Sequence, residues 1–153
     1  MLTRCYGKTT PTYVGCTVAP EWHSFMAFRE WSLQNKWQLG YSLDKDYLSN
    51  GAKIYSPSTC AWVPTIVNSF ILDNSAARGK LPIGVRRQRS GRYSGVACNP
   101  LTNKAEHIGV YPTINEAHLA WRARKNKHAH MLADMYPDLD PRLLEALRTR
   151  YSE

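Results

Sequence analysis

The sequence lacks several features that would assign it to a common class. It has no run of about 20 apolar residues, the length that a membrane-spanning helix needs. Residues 1–4 are followed by polar residues rather than by the apolar stretch of a signal peptide. The four cysteines include no C-x-x-C pair. We therefore expect a cytoplasmic protein with reduced thiols, no membrane partner and no small-molecule organic cofactor. A zinc site built from Cys5, Cys16, Cys60 and a histidine stays open as an alternative, without support from the spacing.

Acidic residues are scarce in one segment of the chain. Residues 74–136 carry eleven basic and three acidic side chains, whereas residues 1–73 carry six basic and five acidic ones. No acidic residue lies between Arg78 and Lys104. The excess that gives the chain its net charge of +8 therefore lies in this middle segment. Localised positive charge of this kind predicts a polyanionic partner, because phosphates are neutralised by clustered Lys and Arg.

The hydrophobic pattern predicts an α+β protein. Aromatic residues at helical spacing, among them Trp22, Phe25 and Trp31, predict a core helix within residues 19–37, with His23 at its surface. A strand, a loop, a return strand and a short helix are expected over residues 41–72, with Lys53-Ile54-Tyr55 as the return strand. We expect four parts: an N-terminal module at residues 1–73, a linker at 74–80, a second module at 81–136 and a C-terminal helix at 137–153.

The second module is predicted as three strands followed by a long helix. The strands are expected at residues 81–85, 92–98 and 105–111, with a turn at Ser90-Gly91 between the first two. Thr113 and Glu116 have the spacing of a capping box, which predicts that the helix starts there. A short amphipathic helix is expected after Pro141.

Three motifs in this module resemble the ethylene-response-factor (apetala-two) DNA-binding domain. They are Leu81-Pro82-Ile83-Gly84-Val85-Arg86-Arg87, Gly91-Arg92-Tyr93 and the run from Ile108-Gly109-Val110-Tyr111 to Glu116-Ala117. The resemblance covers about residues 81–125. It implies that the three-stranded antiparallel sheet enters the major groove of DNA and that the helix packs behind it.

The resemblance also implies which side chains contact DNA. Arg86 and Arg92 match the family's contacts with bases and phosphates, and Gln88 falls at a further contact position. Tyr93 is the aromatic residue of the second motif, while Arg87 and Arg89 are added from charge alone. Two departures, Ser90 for an aromatic residue and Cys98 for an arginine, leave the target sequence undefined. The alternative interpretation is a solvated strand face. The basic cluster at residues 122–130 is predicted to be a solvated helix face, with DNA-backbone contact as the second interpretation.

The N-terminal module resembles the phage-type HNH homing endonucleases. The residues that carry the resemblance are Gly15-Cys16-Thr17-Val18, Glu21-Trp22, Phe25, Phe28, Leu43-Asp44-Lys45-Asp46, Tyr55-Ser56-Pro57-Ser58-Thr59-Cys60 and Asn68. The resemblance implies a ββα-metal finger, a hairpin followed by a helix, that binds one divalent cation. Asp44 and Asn68 match the two ligand positions, and their oxygen donors suit Mg²⁺ or Mn²⁺.

One catalytic position departs from the family. Lys45 occupies the place of the histidine that activates water, and a lysine with an ordinary pKa of about 10.4 is protonated at pH 7. Lys45 is then expected to bind phosphate or stabilise charge in the transition state. Tyr41, Tyr47, Tyr55 and His23 stay open as sources of a base. Thr59 replaces the asparagine that ties the family's hairpin.

Together these resemblances imply a metal-dependent, site-directed endonuclease that hydrolyses duplex DNA, with Asp44 and Lys45 at its catalytic centre. We expect a monomer, located in the host bacterial cytoplasm if the chain is phage-encoded. The first alternative is a sequence-specific DNA-binding protein without catalysis. The second is an RNA-binding protein, which the strand-reading module disfavours because the deep major groove of A-form RNA excludes side chains.

Overall fold

The computed structural model describes residues 1–7, 13–49, 51–71 and 80–152 and confirms the α+β class. The helices are α1 (Leu2–Tyr6), α2 (Phe25–Gln34), α3 (Thr65–Phe70), α4 (Ile114–Met135) and α5 (Pro141–Thr149), with a 3-10 helix at Pro20–His23. The strands are β1 (Thr17–Val18), β2 (Tyr41–Asp44), β3 (Ile54–Tyr55), β4 (Ala61–Pro64), β5 (Val85–Arg87), β6 (Tyr93–Cys98) and β7 (Ala105–Tyr111). No described helix is both long enough and apolar enough to cross a membrane.

Contacts divide the chain into two compact units. Unit 1 comprises Met1–Thr65 with Asp138–Ala146, and unit 2 comprises Ile66–Pro137 with Leu147–Glu153. The C-terminal helix α5, which starts at Pro141 as predicted, therefore contributes residues to both units. Residues 74–79 of the predicted linker lie outside the described residues.

The predicted core helix of unit 1 is two shorter helices. Ser24 separates them and caps α2, where its side-chain hydroxyl accepts a hydrogen bond from the Ala27 amide. Trp22 is buried, as expected for a core residue, and His23 is exposed as predicted. The core role expected for Phe25 is wrong, because this side chain is 71% exposed. The change from 3-10 to α-helix alters the helical phase, so Phe28 and Trp31 pack on Trp22 instead.

The strands of unit 1 pair differently from the expected hairpin. β3, the predicted return strand, pairs in parallel with β1, whereas β2 pairs antiparallel with β4. The turn that follows β3 explains this pairing. Thr59 donates a hydrogen bond from its hydroxyl to the Ile54 carbonyl at 2.7 Å and accepts one from the Ser56 amide at 3.1 Å. The tied turn ends β3 and leads the chain into β4, which becomes the partner of β2.

Unit 2 contains the predicted three-stranded antiparallel sheet, in the order β5-β6-β7, and the long helix α4. The Thr113–Glu116 capping box at the start of α4 is confirmed. The first strand begins at Val85 rather than at the predicted residue 81. Gly84 explains the difference, because its φ of +80° lies outside the range of a strand and lets Trp121 of α4 pack directly on the backbone.

Candidate functional site

The register of the sheet in unit 2 places three predicted DNA contacts on one face. Arg86 pairs with Ser94 of β6, and Ser94 pairs with Val110 of β7, so these three side chains point to the same side. Successive side chains of a strand alternate between faces. Gln88 and Arg92, each two residues from a member of this row, therefore belong to the same side. We call this side the open face.

The opposite face of the sheet is covered by α4. A Cβ atom on Gly95 would lie 3.1 Å from the Ala117 carbonyl oxygen of α4, so Gly95 marks the helix side. Arg87 and Tyr93 pair with each other and occupy the same side as Gly95. The structure thus separates Arg87 and Tyr93, on the helix side, from Arg86, on the open face.

A tight turn fixes the positions of Gln88 and Arg92. The Gln88 amide donates a hydrogen bond to the Arg92 carbonyl at 2.8 Å, and the Gly91 amide donates one to the Gln88 carbonyl at 3.1 Å. Gly91 has a φ of +82°, the left-handed conformation that closes a three-residue hairpin loop. Arg89 lies inside this loop and is exposed. The predicted Ser90-Gly91 turn is therefore confirmed, and it presents Arg89 at the tip of the hairpin.

The basic groups around the open face are free to meet a ligand. Within the described ranges, the side chains of Arg86, Gln88 and Arg89 make no hydrogen bond or ion pair. Arg92 donates one hydrogen bond to the Val110 carbonyl at 3.2 Å, which leaves most of its donors available. The sheet's acidic residue, Glu106, pairs with Ala97 and points to the helix side. Unpaired donors on a face without carboxylates suit an anionic ligand.

Two members of the basic cluster of α4 do not lie on the solvated face that the sequence predicts, whereas Lys127 and His130 are exposed as expected. Lys125 is buried: its Nζ donates to the Phe70 carbonyl at 2.7 Å and lies 3.3 Å from the centre of the Phe70 ring. Burial lowers the pKa of Lys125 to about 8. His128 is also buried, and burial lowers its pKa. The prediction is therefore wrong for these two residues, which pack inside unit 2.

Asp44, the predicted metal ligand, lies at the end of β2 in unit 1. It is only 6% exposed, and its Oδ2 accepts a hydrogen bond from the Tyr47 amide at 2.9 Å. Burial raises the pKa of the Asp44 carboxyl above its ordinary value, against the opposing effect of that hydrogen bond. A cation would favour the ionised form, which burial alone disfavours. The position of Asp44 is thus compatible with a metal ligand, and it also caps the turn that follows β2.

Lys45 is paired inside unit 1. Its ammonium group forms an ion pair with Asp46, and its Nζ lies 5.8 Å from the centre of the Tyr55 ring. Burial lowers the pKa of Lys45, but the hydrogen bond and charge of Asp46 outweigh that effect, so the pKa is raised overall. A lysine with a raised pKa keeps its proton at neutral pH. Lys45 therefore can supply positive charge but not general-base catalysis.

The other residues considered as a base have different surroundings. Tyr55 is buried, and burial together with the hydrogen bond to Tyr13 raises its pKa. His23 has its Nε2 3.2 Å from the Val18 carbonyl and 3.4 Å from the Tyr6 hydroxyl. Tyr47 is buried and Tyr41 is half-buried. None of these arrangements identifies one of the four as the base.

Asn68, the second predicted ligand, lies on α3 and is half-buried. It belongs to unit 2, whereas Asp44 belongs to unit 1, so their joint binding of one cation stays a prediction. Among the described residues, no three His, Cys, Asp or Glu side chains converge as metal ligands. The two predicted ligands are of the oxygen-donor type, a carboxylate and an amide, that Mg²⁺ prefers.

The cysteines are free thiols. Cys16 and Cys60 are buried, Cys5 is half-buried and Cys98 is exposed. Burial raises the pKa of Cys60 to about 11 and also raises that of Cys5. Burial therefore disfavours the thiolate form of both cysteines, the form that acts as a nucleophile.

Sequence reasoning missed the hydrogen-bond network around Glu106. Its carboxylate accepts from Asn99 at 2.7 Å and from Arg124 at 2.6 Å, and lies 3.4 Å from the His128 ring. The hydrogen bonds from Asn99 and Arg124 lower the pKa of Glu106. Glu106 is the only acidic residue between Asp73 and Glu116, a signal that could have singled it out.

None of the protein-family models, curated proteins and solved structures compared with this chain matches it. The two family resemblances therefore stay predictions that rest on the motifs quoted above.

Proposed function

We propose that this protein binds duplex DNA through the open face of the sheet in unit 2. The observation that supports the proposal is the alignment of Arg86, Gln88 and Arg92 on one face, with no carboxylate among them. Strands about 4.8 Å apart make a three-stranded sheet about 10 Å across. That width fits the major groove of B-DNA, which is about 12 Å wide.

Each side chain of the face has a role in this proposal. Arg86 and Arg92 donate to the O6 and N7 atoms of guanine, and Gln88 has the donor and acceptor that adenine requires. Arg89, at the hairpin tip, neutralises phosphate. Arg87 and Tyr93 lie on the helix side and are expected to contribute less to base selection.

The proposal is tested by measuring binding to a duplex DNA and to a duplex RNA of the same sequence over a range of salt concentrations. Tighter binding to DNA, weakening steeply with salt, is the expected result. Side chains on a sheet cannot read the deep major groove of A-form RNA. Equal or tighter binding to RNA would therefore show that the open face does not act as proposed, and would favour the RNA-binding alternative. Absence of binding to both duplexes at low salt would overturn it.

The second candidate function is DNA cleavage by a finger that includes Asp44. The antiparallel pair β2–β4 is followed directly by α3, which gives the strand, strand, helix order of the resembled finger. Thr59 holds the turn before β4 through its hydrogen bonds with Ile54 and Ser56. In the resembled family an asparagine at this position has that role. These two observations favour an endonuclease centre in addition to DNA binding.

In this candidate mechanism the predicted ligands Asp44 and Asn68 would hold one Mg²⁺ or Mn²⁺, and the ion would supply Lewis-acid stabilisation of the scissile phosphate. Lys45 adds a fixed positive charge beside Asp44 and keeps its own proton. The attacking water then depends on another base, and we expect slow cleavage for that reason. A monomer in the cytoplasm of a bacterial host is the setting we propose for this activity.

Cleavage of a supercoiled plasmid tests the candidate. We expect nicking in Mg²⁺ or Mn²⁺ that disappears in Asp44→Ala and increases in Lys45→His, which restores the family's base. Binding of DNA without cleavage by either the wild type or Lys45→His would leave a DNA-binding protein. Cleavage that persists in Asp44→Ala would move the catalytic centre elsewhere.

A further inference from the structure

Two valines lie on the open face beside its arginines. Val110 of β7 pairs with Ser94, the residue of β6 that also pairs with Arg86, and the Val110 side chain is 39% exposed. Val96 is two residues along β6 from Ser94, so its side chain points to the same side, where it is half-buried. The open face therefore carries a small apolar patch, which is exposed mainly at Val110.

One hydrogen bond fixes Arg92 beside Val110. The Arg92 Nη2 donates to the Val110 carbonyl at 3.2 Å, and the side chains of both residues lie on the open face. This bond uses one of the five N–H donors of the guanidinium, so the others are available to a ligand. The methyl groups of Val110 and the free donors of Arg92 therefore meet neighbouring parts of the same ligand.

The major groove of DNA offers an apolar partner for a valine at one kind of base. Guanine, adenine and cytosine present acceptors and amino groups there, whereas thymine also presents its C5-methyl group. A valine that covers a base edge without meeting this methyl would remove water from polar atoms and give no hydrogen bond in return. Contact between the valine and the methyl instead removes two apolar surfaces from water. An exposed valine on a DNA-binding face is thus suited to thymine.

The contact between Arg92 and Val110 limits which base pairs the two residues meet. Arg92 is proposed to bind guanine, and a G·C pair contains no thymine methyl. The two side chains are therefore assigned to two different base pairs. Adjacent pairs are about 3.4 Å apart along the DNA axis, a distance that two side chains joined by one hydrogen bond can span. The thymine then lies next to the guanine.

We propose that Val110 is a specificity-determining residue that selects thymine at the base pair next to the guanine contacted by Arg92. It recognises the C5-methyl group of the thymine, while Arg92 supplies the hydrogen bonds to the guanine. The carbonyl of Val110 also holds the guanidinium in place, so the two contacts keep a fixed spacing. The inference rests on the proposed function of the open face.

Replacement of a single thymine by uracil tests the methyl contact, because it removes the C5-methyl group and nothing else. The probe is a labelled duplex that the wild-type protein enriches from a random pool, and fluorescence anisotropy at low salt measures its affinity. We expect the enriched sequence to carry thymine beside a guanine. Uracil at this thymine should weaken binding about fourfold, the value of one buried methyl group. Uracil at the end of the same duplex, outside the enriched site, is the control and should leave the affinity unchanged.

Val110→Ala assigns the contact to its residue. This variant should bind the thymine and uracil duplexes equally, because the methyl has lost its partner. Val110→Thr, which keeps the β-branched shape of a strand residue, should also lose most of the preference and serves if the alanine variant does not fold. Val14→Ala removes the same methyl groups from a position of unit 1 that is 72% exposed, and it should keep the wild-type preference. The two duplexes are compared on one protein sample, so partial unfolding cancels from the ratio.

The two levels of inference fail in different ways. If the wild type does not bind duplex DNA at low salt, the proposed function fails. If the wild type binds the thymine and uracil duplexes with equal affinity, only the role of Val110 fails. A preference for thymine that Val110→Ala and Val110→Thr both keep in full would also overturn that role.

Discussion

The open face of unit 2 and the β2 turn of unit 1 use charged residues in opposite ways. On the open face, Arg86 is exposed and has no ion-pair partner among the described residues. In the turn, Lys45 is paired with Asp46, and Asp44 is buried and capped by the Tyr47 amide. The charged groups of the turn already have partners within unit 1, whereas the Arg86 guanidinium is available to a ligand. For this reason we propose DNA binding as the first function and cleavage as the second.

The largest loss of stability is expected where the sheet of unit 2 packs on α4. An alanine at position 84 would place Cβ 2.0 Å from Cδ1 of Trp121, in addition to the strain of a φ of +80°. We expect Gly84→Ala to lower the free energy of unfolding by about 3 kcal/mol or more. Gly91→Ala has a similar φ but nothing within 4 Å, so about 1 kcal/mol is expected. Urea unfolding measures both, and equal losses would contradict the close packing of Trp121 on Gly84.

The next largest effect separates the two faces of the sheet. Arg86→Ala should weaken DNA binding by about 1–3 kcal/mol and reduce discrimination between sequences, because a base contact is lost. Arg87→Ala removes the same charge from the helix side. It should weaken binding to DNA of any sequence by less than about 1 kcal/mol. Titration of two unrelated duplexes with each variant checks this. A larger loss in Arg87→Ala would show that the register does not select the binding residues.

A smaller effect is expected at Asp44. Because burial raises the pKa of this carboxyl, the folded protein favours its neutral form. We expect Asp44→Asn to raise the free energy of unfolding at pH 7, because the amide fills the same buried position without a charge. The difference in free energy of unfolding between Asp44→Asn and the wild type should be largest above the raised pKa of Asp44. It should disappear as the pH falls below the ordinary pKa of 3.8, where the carboxyl is neutral in both the folded and the unfolded state. Thermal unfolding from pH 7 downwards measures it.

Magnesium provides the control for Asp44. A ligand that binds only the folded state stabilises it by mass action. If Asp44 holds the ion, Mg²⁺ should therefore raise the melting temperature of the wild type and leave the melting temperature of the Asp44→Asn variant unchanged. An equal rise in the melting temperature of both proteins would show that Asp44 does not bind the ion.

The smallest effect concerns the ion pair of unit 1. The Asp46 side chain is 63% exposed, so the pair is largely screened by solvent. Lys45→Met keeps most of the apolar stem and should change the free energy of unfolding by less than about 1 kcal/mol. Urea unfolding of this variant beside Asp46→Asn is the measurement. A loss several times larger would mean that the turn depends on the pair more than its exposure indicates.

Features set by local sequence were predicted well. The Thr113–Glu116 cap, the Ser90-Gly91 turn and the strands β6 and β7 all depend on residues close in the chain, and they are found as expected. The β1–β3 pairing joins segments far apart in sequence through two residues each, which no local pattern specifies. The exposure of Phe25 was mispredicted because periodicity does not show where one helix type replaces another.

The site followed the same division. The motif that contains Arg86 and Arg92 is short, and strand alternation alone suffices to place both residues on one face. The burial of Lys125 depends on Phe70, 55 positions away, and could not be predicted from the helix itself. The ion pair of Glu106 with Arg124 joins a strand to a helix 18 positions away, and the sequence of the strand alone does not show it.

The strand geometry of the hairpin also fixes the distance between Arg86 and Gln88 along the strand. Residues two apart on a strand are separated by about 6.8 Å, because each residue advances the chain about 3.4 Å. Base pairs along one strand of DNA are also about 3.4 Å apart. A strand that lies along the groove therefore places its open-face side chains at every second base pair. If the open face binds DNA as proposed, Arg86 and Gln88 would contact the first and third of three consecutive base pairs, and the protein would not read the base pair between them.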